Sequence, residues 1–216
     1  MHKKSVVVLI SGSGSNLQAI IDASAESVSF NVTGVVSNRA DAFGLERAKR
    51  ADIPTAVIEH SGFSSRESFD RALIDQIDVW KPDLVVLAGF MRILTDGFVD
   101  HYNGRLINIH PSLLPKFKGL NTHARAIEAG EAEHGCTVHF VCPELDAGAP
   151  IVQAATQIAA TDSVETLQQR VHTLEHKIYP LAVEWFCNDR LEQRQGQAWL
   201  DNQCLPAGGH RLEAGI

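Results

Sequence analysis

The sequence runs Val6-Val7-Val8-Leu9-Ile10 without a polar residue, breaks at Ser11-Gly12-Ser13-Gly14-Ser15-Asn16, and resumes as Leu17-Gln18-Ala19-Ile20-Ile21 with apolar side chains three and four apart. A strand that is apolar at every position has to be covered on both faces, whereas a strand with one wet face alternates. A helix entered directly from that strand supplies one of the covers. The rhythm then returns. Val32–Ser37 reads as a second strand, Gly44–Ala51 as a helix closed by Ile53-Pro54, and Thr55–Ile58 as a third strand. Ser65–Val79 carries Phe69, Leu73 and Ile77 at four-residue steps, an amphipathic helix, and Leu84-Val85-Val86-Leu87 is a fourth buried strand.

This order implies parallel strands joined by right-handed crossovers, a Rossmann-like α/β sheet, mostly parallel, with helices on both faces. Leu106–Ile109, Val138–Val141 and Ile151–Ile158 are further strand candidates, and Val164–Val183 is a long helix with one apolar stripe. One domain is expected over residues 1–190, about 1–100 forming a phosphate-binding half and about 101–190 a catalytic half. Residues 191–216 turn polar and read as a loosely packed tail.

Charge and cysteine content narrow the function. Nineteen Lys and Arg against 26 Asp and Glu leave a net charge of −7 with no basic block, which argues against nucleic acid and acidic membrane as partners. No apolar run reaches the ~20 residues a bilayer span needs, and Met1-His2-Lys3-Lys4-Ser5 enters the first strand too soon for a signal peptide. A cytoplasmic protein acting on small molecules is expected; the sequence leaves its oligomeric state open. Cys136, Cys142, Cys187 and Cys204 show no CxxC spacing and read as packing thiols.

The glycine loop sits where a strand meets a helix N-terminus, whose unpaired N–H groups and partial positive charge seat a phosphate. It lacks the Gly-Lys-Ser/Thr of a Walker loop. Leu17 stands where a dinucleotide fingerprint needs Gly, and Ser37-Asn38-Arg39 offers no acidic ribose ligand. A single phosphate, such as a phosphoribosyl group, fits better than NAD.

In Leu106-Ile107-Asn108-Ile109-His110-Pro111, Asn108 and His110 are two apart and project to one face of a strand that Pro111 ends. The histidine supplies a proton-transfer group and the amide a donor that never titrates, a pair suited to acyl or formyl transfer through a tetrahedral oxyanion. Asp146, in Glu144-Leu145-Asp146-Ala147-Gly148, is a candidate to orient His110. His172-Thr173-Leu174-Glu175-His176 has the H-x-x-E-H pattern of a zinc hydrolase, but the later chain offers no clear third ligand, so no metal is expected. The other histidines, His139, His123 and His134 among them, read as surface or packing residues.

Taken together, Ser11–Asn16, Ala88-Gly89-Phe90-Met91-Arg92-Ile93-Leu94, Asn108-Ile109-His110-Pro111-Ser112-Leu113-Leu114-Pro115 and Glu144–Gly148 resemble, in this order, the folate-dependent formyltransferases. The phosphate loop and short length resemble the branch that formylates phosphoribosylglycinamide. The resemblance covers about residues 6–188. It implies 10-formyltetrahydrofolate as co-substrate and no metal. It also implies catalytic roles for Asn108, His110 and Asp146, and phosphate binding by Gly14, Ser15 and Asn16. Glu175 would meet the glycinamide end of the nucleotide. Met91, Arg92, Ile93 and Leu94 would line the folate site, Cys142, Pro143, Glu144, Leu145 and Asp146 would close over the pterin, and Arg66 would meet the glutamate tail. Lys118, Asn121 and Ala147 depart from the family's pattern. The alternatives are a formyltetrahydrofolate hydrolase using the same trio, the zinc hydrolase, and a nucleotide-binding sensor without catalysis. A transfer-RNA formyltransferase would need a further C-terminal domain and a basic surface.

Overall fold

The computed structural model describes residues 3–212. Strand β1 (Lys4–Ile10) leads through helix α1 (Ser15–Glu26) to β2 (Phe30–Ser37), and α2 (Gly44–Arg50) leads on to β3 (Thr55–Val57). The chain then crosses back through α3 (Arg66–Asp78) to β4 (Leu84–Leu87) and through α4 (Asp96–His101) to β5 (Leu106–His110). Helix α5 (Thr122–Glu128), β6 (Glu133–Phe140), β7 (Pro150–Gln157) and α6 (Val164–Cys187) follow.

These strands build one sheet, β7-β6-β5-β4-β1-β2-β3, parallel from β5 to β3 and antiparallel where β6 meets β5 and β7. The fully apolar β1 is covered on both faces, as its composition requires. Val6, Val8 and Ile10 pack with α1 and α6 on one side, and Val7 and Leu9 pack with Phe69 and Leu73 of α3, Phe98 of α4 and Tyr102 just after it on the other. Helix starts follow local chemistry. Ser65 and Ser163 each accept from the backbone N–H three residues on, in a reciprocal capping box, at the heads of α3 and α6.

The expected loose tail is where the structure departs most from the sequence reading. Strands β8 (Leu191–Arg194), β9 (Gln197–Leu200) and β10 (Gln203–Cys204) form a small antiparallel sheet, and β11 (His210–Leu212) extends the main sheet by pairing parallel with β7. Leu191 and Ala198 are buried against the main core. These strands are short and their apolar positions few, so composition alone masks them. Helices α4 and α5, each at most two turns long, are too short to show a periodicity in the sequence. Among the described residues, no helix is long and apolar enough to cross a membrane.

Candidate active site

β1 and β4 lie side by side, yet the chain leaves β1 toward β2 and β4 toward β5, so a crevice opens at their carboxyl ends. A cavity of about 770 Å³ occupies it, lined by the loops after β1 and β4, the end of β5, the segment 119–124, the loop 141–146 and one face of α6.

At one end stands the glycine loop. Gly14 has φ 71°, and a Cβ there would lie 2.6 Å from the Cα of Gly44, so both conformation and closeness demand glycine. The N–H of Gly44 donates to the Gly12 carbonyl at 3.0 Å, and Arg47 Nε donates to the Ser13 carbonyl at 2.9 Å, bracing the loop from α2. The first turn of α1 carries no acidic side chain of its own to offset the positive end of that helix. Ser11 Oγ donates to Asn38 at 2.6 Å and accepts from the Met91 N–H at 2.8 Å, tying together the ends of three strands. Asn16 Nδ2 donates to Glu175 Oε2 at 2.8 Å, while its own Oδ1 is buried without a protein partner among the described residues. Burial raises the Glu175 carboxyl above its ordinary range, and the Asn16 hydrogen bond opposes this in part.

At the centre, Asn108 and His110 face the cavity from β5, with Asp146 beside them. Asp146 takes the left-handed φ of 50° in the turn after β6. Its Oδ2 lies 3.4 Å from His110 Nδ1, and both side chains are only 7% exposed. His110 Nε2 lies 2.9 Å from the carbonyl oxygen of Phe117. Both ring nitrogens therefore face acceptors, a pattern that an imidazolium satisfies in full and a neutral ring satisfies once. The Gly119 N–H donates to Asp146 Oδ2 at 2.9 Å. The loop after β5 thus supplies an acceptor to the histidine and a donor to the carboxylate.

Asn108 is held from across the sheet by its register partner His139. His139 Nδ1 lies 2.8 Å from the Phe140 carbonyl, which only accepts, so that nitrogen carries the hydrogen. Burial pushes the His139 pKa down to about 4, leaving a neutral ring whose Nε2 accepts from Asn108 Nδ2 at 3.2 Å. The amide is thereby fixed with its nitrogen toward His139, and the second amide hydrogen remains for a ligand.

A family model described as formyl transferase matches residues 4–183. The chain is 56% identical over 209 residues to the phosphoribosylglycinamide formyltransferase of Escherichia coli (strain K12), covering 96% of this chain and 99% of that protein. It is 50% identical over 183 residues to the human trifunctional purine biosynthetic protein adenosine-3, covering 84% of this chain and 18% of that larger protein. Among solved structures, the phosphoribosylglycinamide formyltransferase of Coxiella burnetii superposes with a TM-score of 0.95 at 53% identity, over 98% of this chain and 100% of that one. The chain belongs to the formyl transferase family. Its fold class and its standing as a folate-dependent formyltransferase are as the sequence led us to expect.

Within this formyl transferase, Met91 to Leu94 and Cys142 to Leu145 line the same cavity as the trio and the glycine loop. Met91, Ile93, Leu120 and Leu145 leave large apolar surfaces exposed around its mouth. Arg66 lies elsewhere. It lines a neighbouring groove with Asp70 and Arg71, and its Nη2 donates to the Ile93 carbonyl at 2.9 Å, bracing the Met91–Leu94 segment from behind. His172 and His176 stack with ring centroids 6.4 Å apart, and the Glu175 between them is bonded to Asn16. Two histidines assigned to surface or packing are buried beside the loop after β5, His134 Nε2 facing His123 Nδ1 at 3.1 Å. His139 had no signal in the sequence, since β6 is buried at nearly every position and shows no alternation to single out one face.

Proposed function

We propose that this formyl transferase moves the formyl group of 10-formyltetrahydrofolate onto the amine of phosphoribosylglycinamide, a step of de novo purine synthesis. One observation carries this reading: Asn108, His110 and Asp146 border a single cavity whose far end is the N-terminus of α1. A phosphate seated there directs the rest of the nucleotide toward the trio. The relatives named above support the choice of acceptor, and the family implies a formylfolate donor.

Gly14, Ser15 and Asn16 bind the phosphate through the first-turn N–H groups. Glu175, one hydrogen bond from that loop and lining the same cavity as the trio, is assigned to the glycinamide end of the nucleotide. The apolar rim from Met91 to Leu94, with Leu145, holds the flat ring system of the folate. Arg66, which also braces that segment, is assigned to the glutamate tail of the folate.

The substrate amine attacks the formyl carbon, and the carbonyl electron pair moves onto oxygen. The free hydrogen on Asn108 Nδ2 and a hydrogen of protonated His110 stabilise that oxyanion. Before charge develops, the Phe117 carbonyl occupies His110 Nε2. An ionised oxygen is the stronger acceptor, so the hydrogen bond passes to the oxyanion and returns afterwards. Asp146 faces the His110 Nδ1 and orients the ring. A proton then leaves the attacking nitrogen and reaches N10 of the folate, the carbon–N10 bond breaks, and formylated product and tetrahydrofolate separate.

The test mixes purified enzyme with 10-formyltetrahydrofolate and follows folate absorbance with and without phosphoribosylglycinamide. Release that depends on the nucleotide supports the transferase, and equal release without it identifies a hydrolase. Asn108→Ala and His110→Ala are each expected to lose ~10²–10³ in turnover while folding normally. Near-wild-type rates in either variant refute the assignment.

A further inference from the structure

We propose that Lys118 is a positioning residue for formyl transfer, its ion pair with Glu144 latching the loop after β5 to the loop after β6 so that both partners of the His110–Asp146 pair are held by one backbone segment. This inference rests on the function proposed above.

Two loops meet beside the cavity, one carrying Phe117, Lys118 and Gly119, the other carrying Glu144 and Asp146. Three contacts in consecutive residues join this strip to the site. The Phe117 carbonyl meets His110 Nε2 at 2.9 Å, Lys118 Nζ meets Glu144 Oε1 at 2.9 Å, and the Gly119 N–H meets Asp146 at 2.9 Å. Phe117 and Gly119 both hold φ above 50°. For a bulky aromatic such as Phe117 that conformation is disfavoured on its own and needs outside support. On the α5 side that support is Arg125, whose Nη1 donates to the Lys118 carbonyl at 2.7 Å and whose guanidinium lies over the Phe117 ring. On the other side the Lys118–Glu144 pair joins the loops side chain to side chain, next to the Gly119–Asp146 bond.

The strength of the pair suits a latch. Lys118 is 36% exposed and Glu144 76%, so water screens their attraction, and such pairs shift an equilibrium by no more than about fivefold. A cavity that must admit two substrates and release two products needs a closure of that size. A stronger bond would hold the loop down through product release.

A latch that biases closure lowers the population able to bind folate when it is lost, and saturating folate restores closure. Lys118→Met is therefore expected to raise the folate KM two- to fivefold and leave kcat within twofold. Lys118→Arg stays near wild type. Lys118→Glu and Glu144→Lys each raise KM, and the double exchange, which rebuilds the pair reversed, recovers most of the loss. The ratio of variant to wild-type KM shrinks toward one as salt screens the pair. Hydrogen exchange at the Gly119 amide in the enzyme without substrates, at low salt, is expected to quicken two- to fivefold in Lys118→Met. That measurement reads the latch whether or not the chain proves to be a transferase. An unchanged Gly119 exchange rate overturns the proposal, as does a double exchange no better than its worse single variant.

Discussion

A primary amide has a donor end and an acceptor end of nearly the same shape, and only a neighbour of fixed polarity makes one orientation stable. His139 is that neighbour for Asn108. Its tautomer is set by the Phe140 carbonyl, and burial keeps the ring neutral, so it offers Asn108 a lone pair and nothing else. His139→Leu removes the acceptor and frees the amide to turn its oxygen toward the oxyanion that the proposed transfer develops. Turnover is expected to fall at least tenfold, up to the ~10²–10³ ceiling for losing an oxyanion donor. His139→Gln can place a side-chain oxygen in the same position and is expected to keep several times more activity than the leucine variant. If the two variants have equal turnover at saturating substrates, His139 only fills space. Asn108 and His110 were legible in the sequence because a proline ends their strand and strand geometry puts them on one face. His139 was not, because its role depends on a cross-strand register that no local pattern encodes.

Elements were legible where they are apolar at every buried position or along one clear stripe, and less so where polar residues are buried, as in β6. Strands β1 and β4 are covered on both sides and announce themselves as uninterrupted apolar runs, and α3 shows its apolar stripe and its serine cap. The small sheet of β8 to β10 and the edge strand β11 bury little, so their sequences look like a tail. They nonetheless complete the molecule. His210 packs edge-on against Trp185 of α6 with ring centroids 5.5 Å apart, and Leu191 is 2% exposed. Burying one such leucine is worth about 1.5–3 kcal/mol. A chain stopped after Arg190 is therefore expected to melt roughly 5–10 °C lower, since about 1 kcal/mol moves Tm by 2–4 °C at this size. Differential scanning calorimetry checks this, and an unchanged Tm would mean that the segment is an ornament on the fold.

For the whole molecule, the histidines set the response to acid. Burial pushes His123 and His139 down to about 4 and lowers His134 and His176 as well. In the unfolded chain each takes up a proton near pH 6.5. Between those values the unfolded state binds more protons than the folded one, so stability falls as pH drops from about 6.5 toward 4 and is insensitive to these groups above that range. Glu175 acts with the opposite sign. Its raised carboxyl favours the folded state below about pH 4.5 and loses that advantage as pH rises through its folded value. Four depressed histidines against one raised carboxyl make the net slope positive, so Tm is expected to fall steadily from pH 7 to pH 5. The loss has a location too. His123 opens α5 and His134 lies in β6, and their 3.1 Å contact needs one ring nitrogen to stay unprotonated. A second proton on the pair breaks it, so α5 and the loop before it are expected to exchange amide hydrogens faster at pH 5 before the sheet does. His134→Asn removes one of the titrating rings and is expected to flatten the fall in Tm over that range. A Tm that stays level from pH 7 to pH 5 in the wild-type protein would mean that these rings take up protons without cost and are not sealed from water.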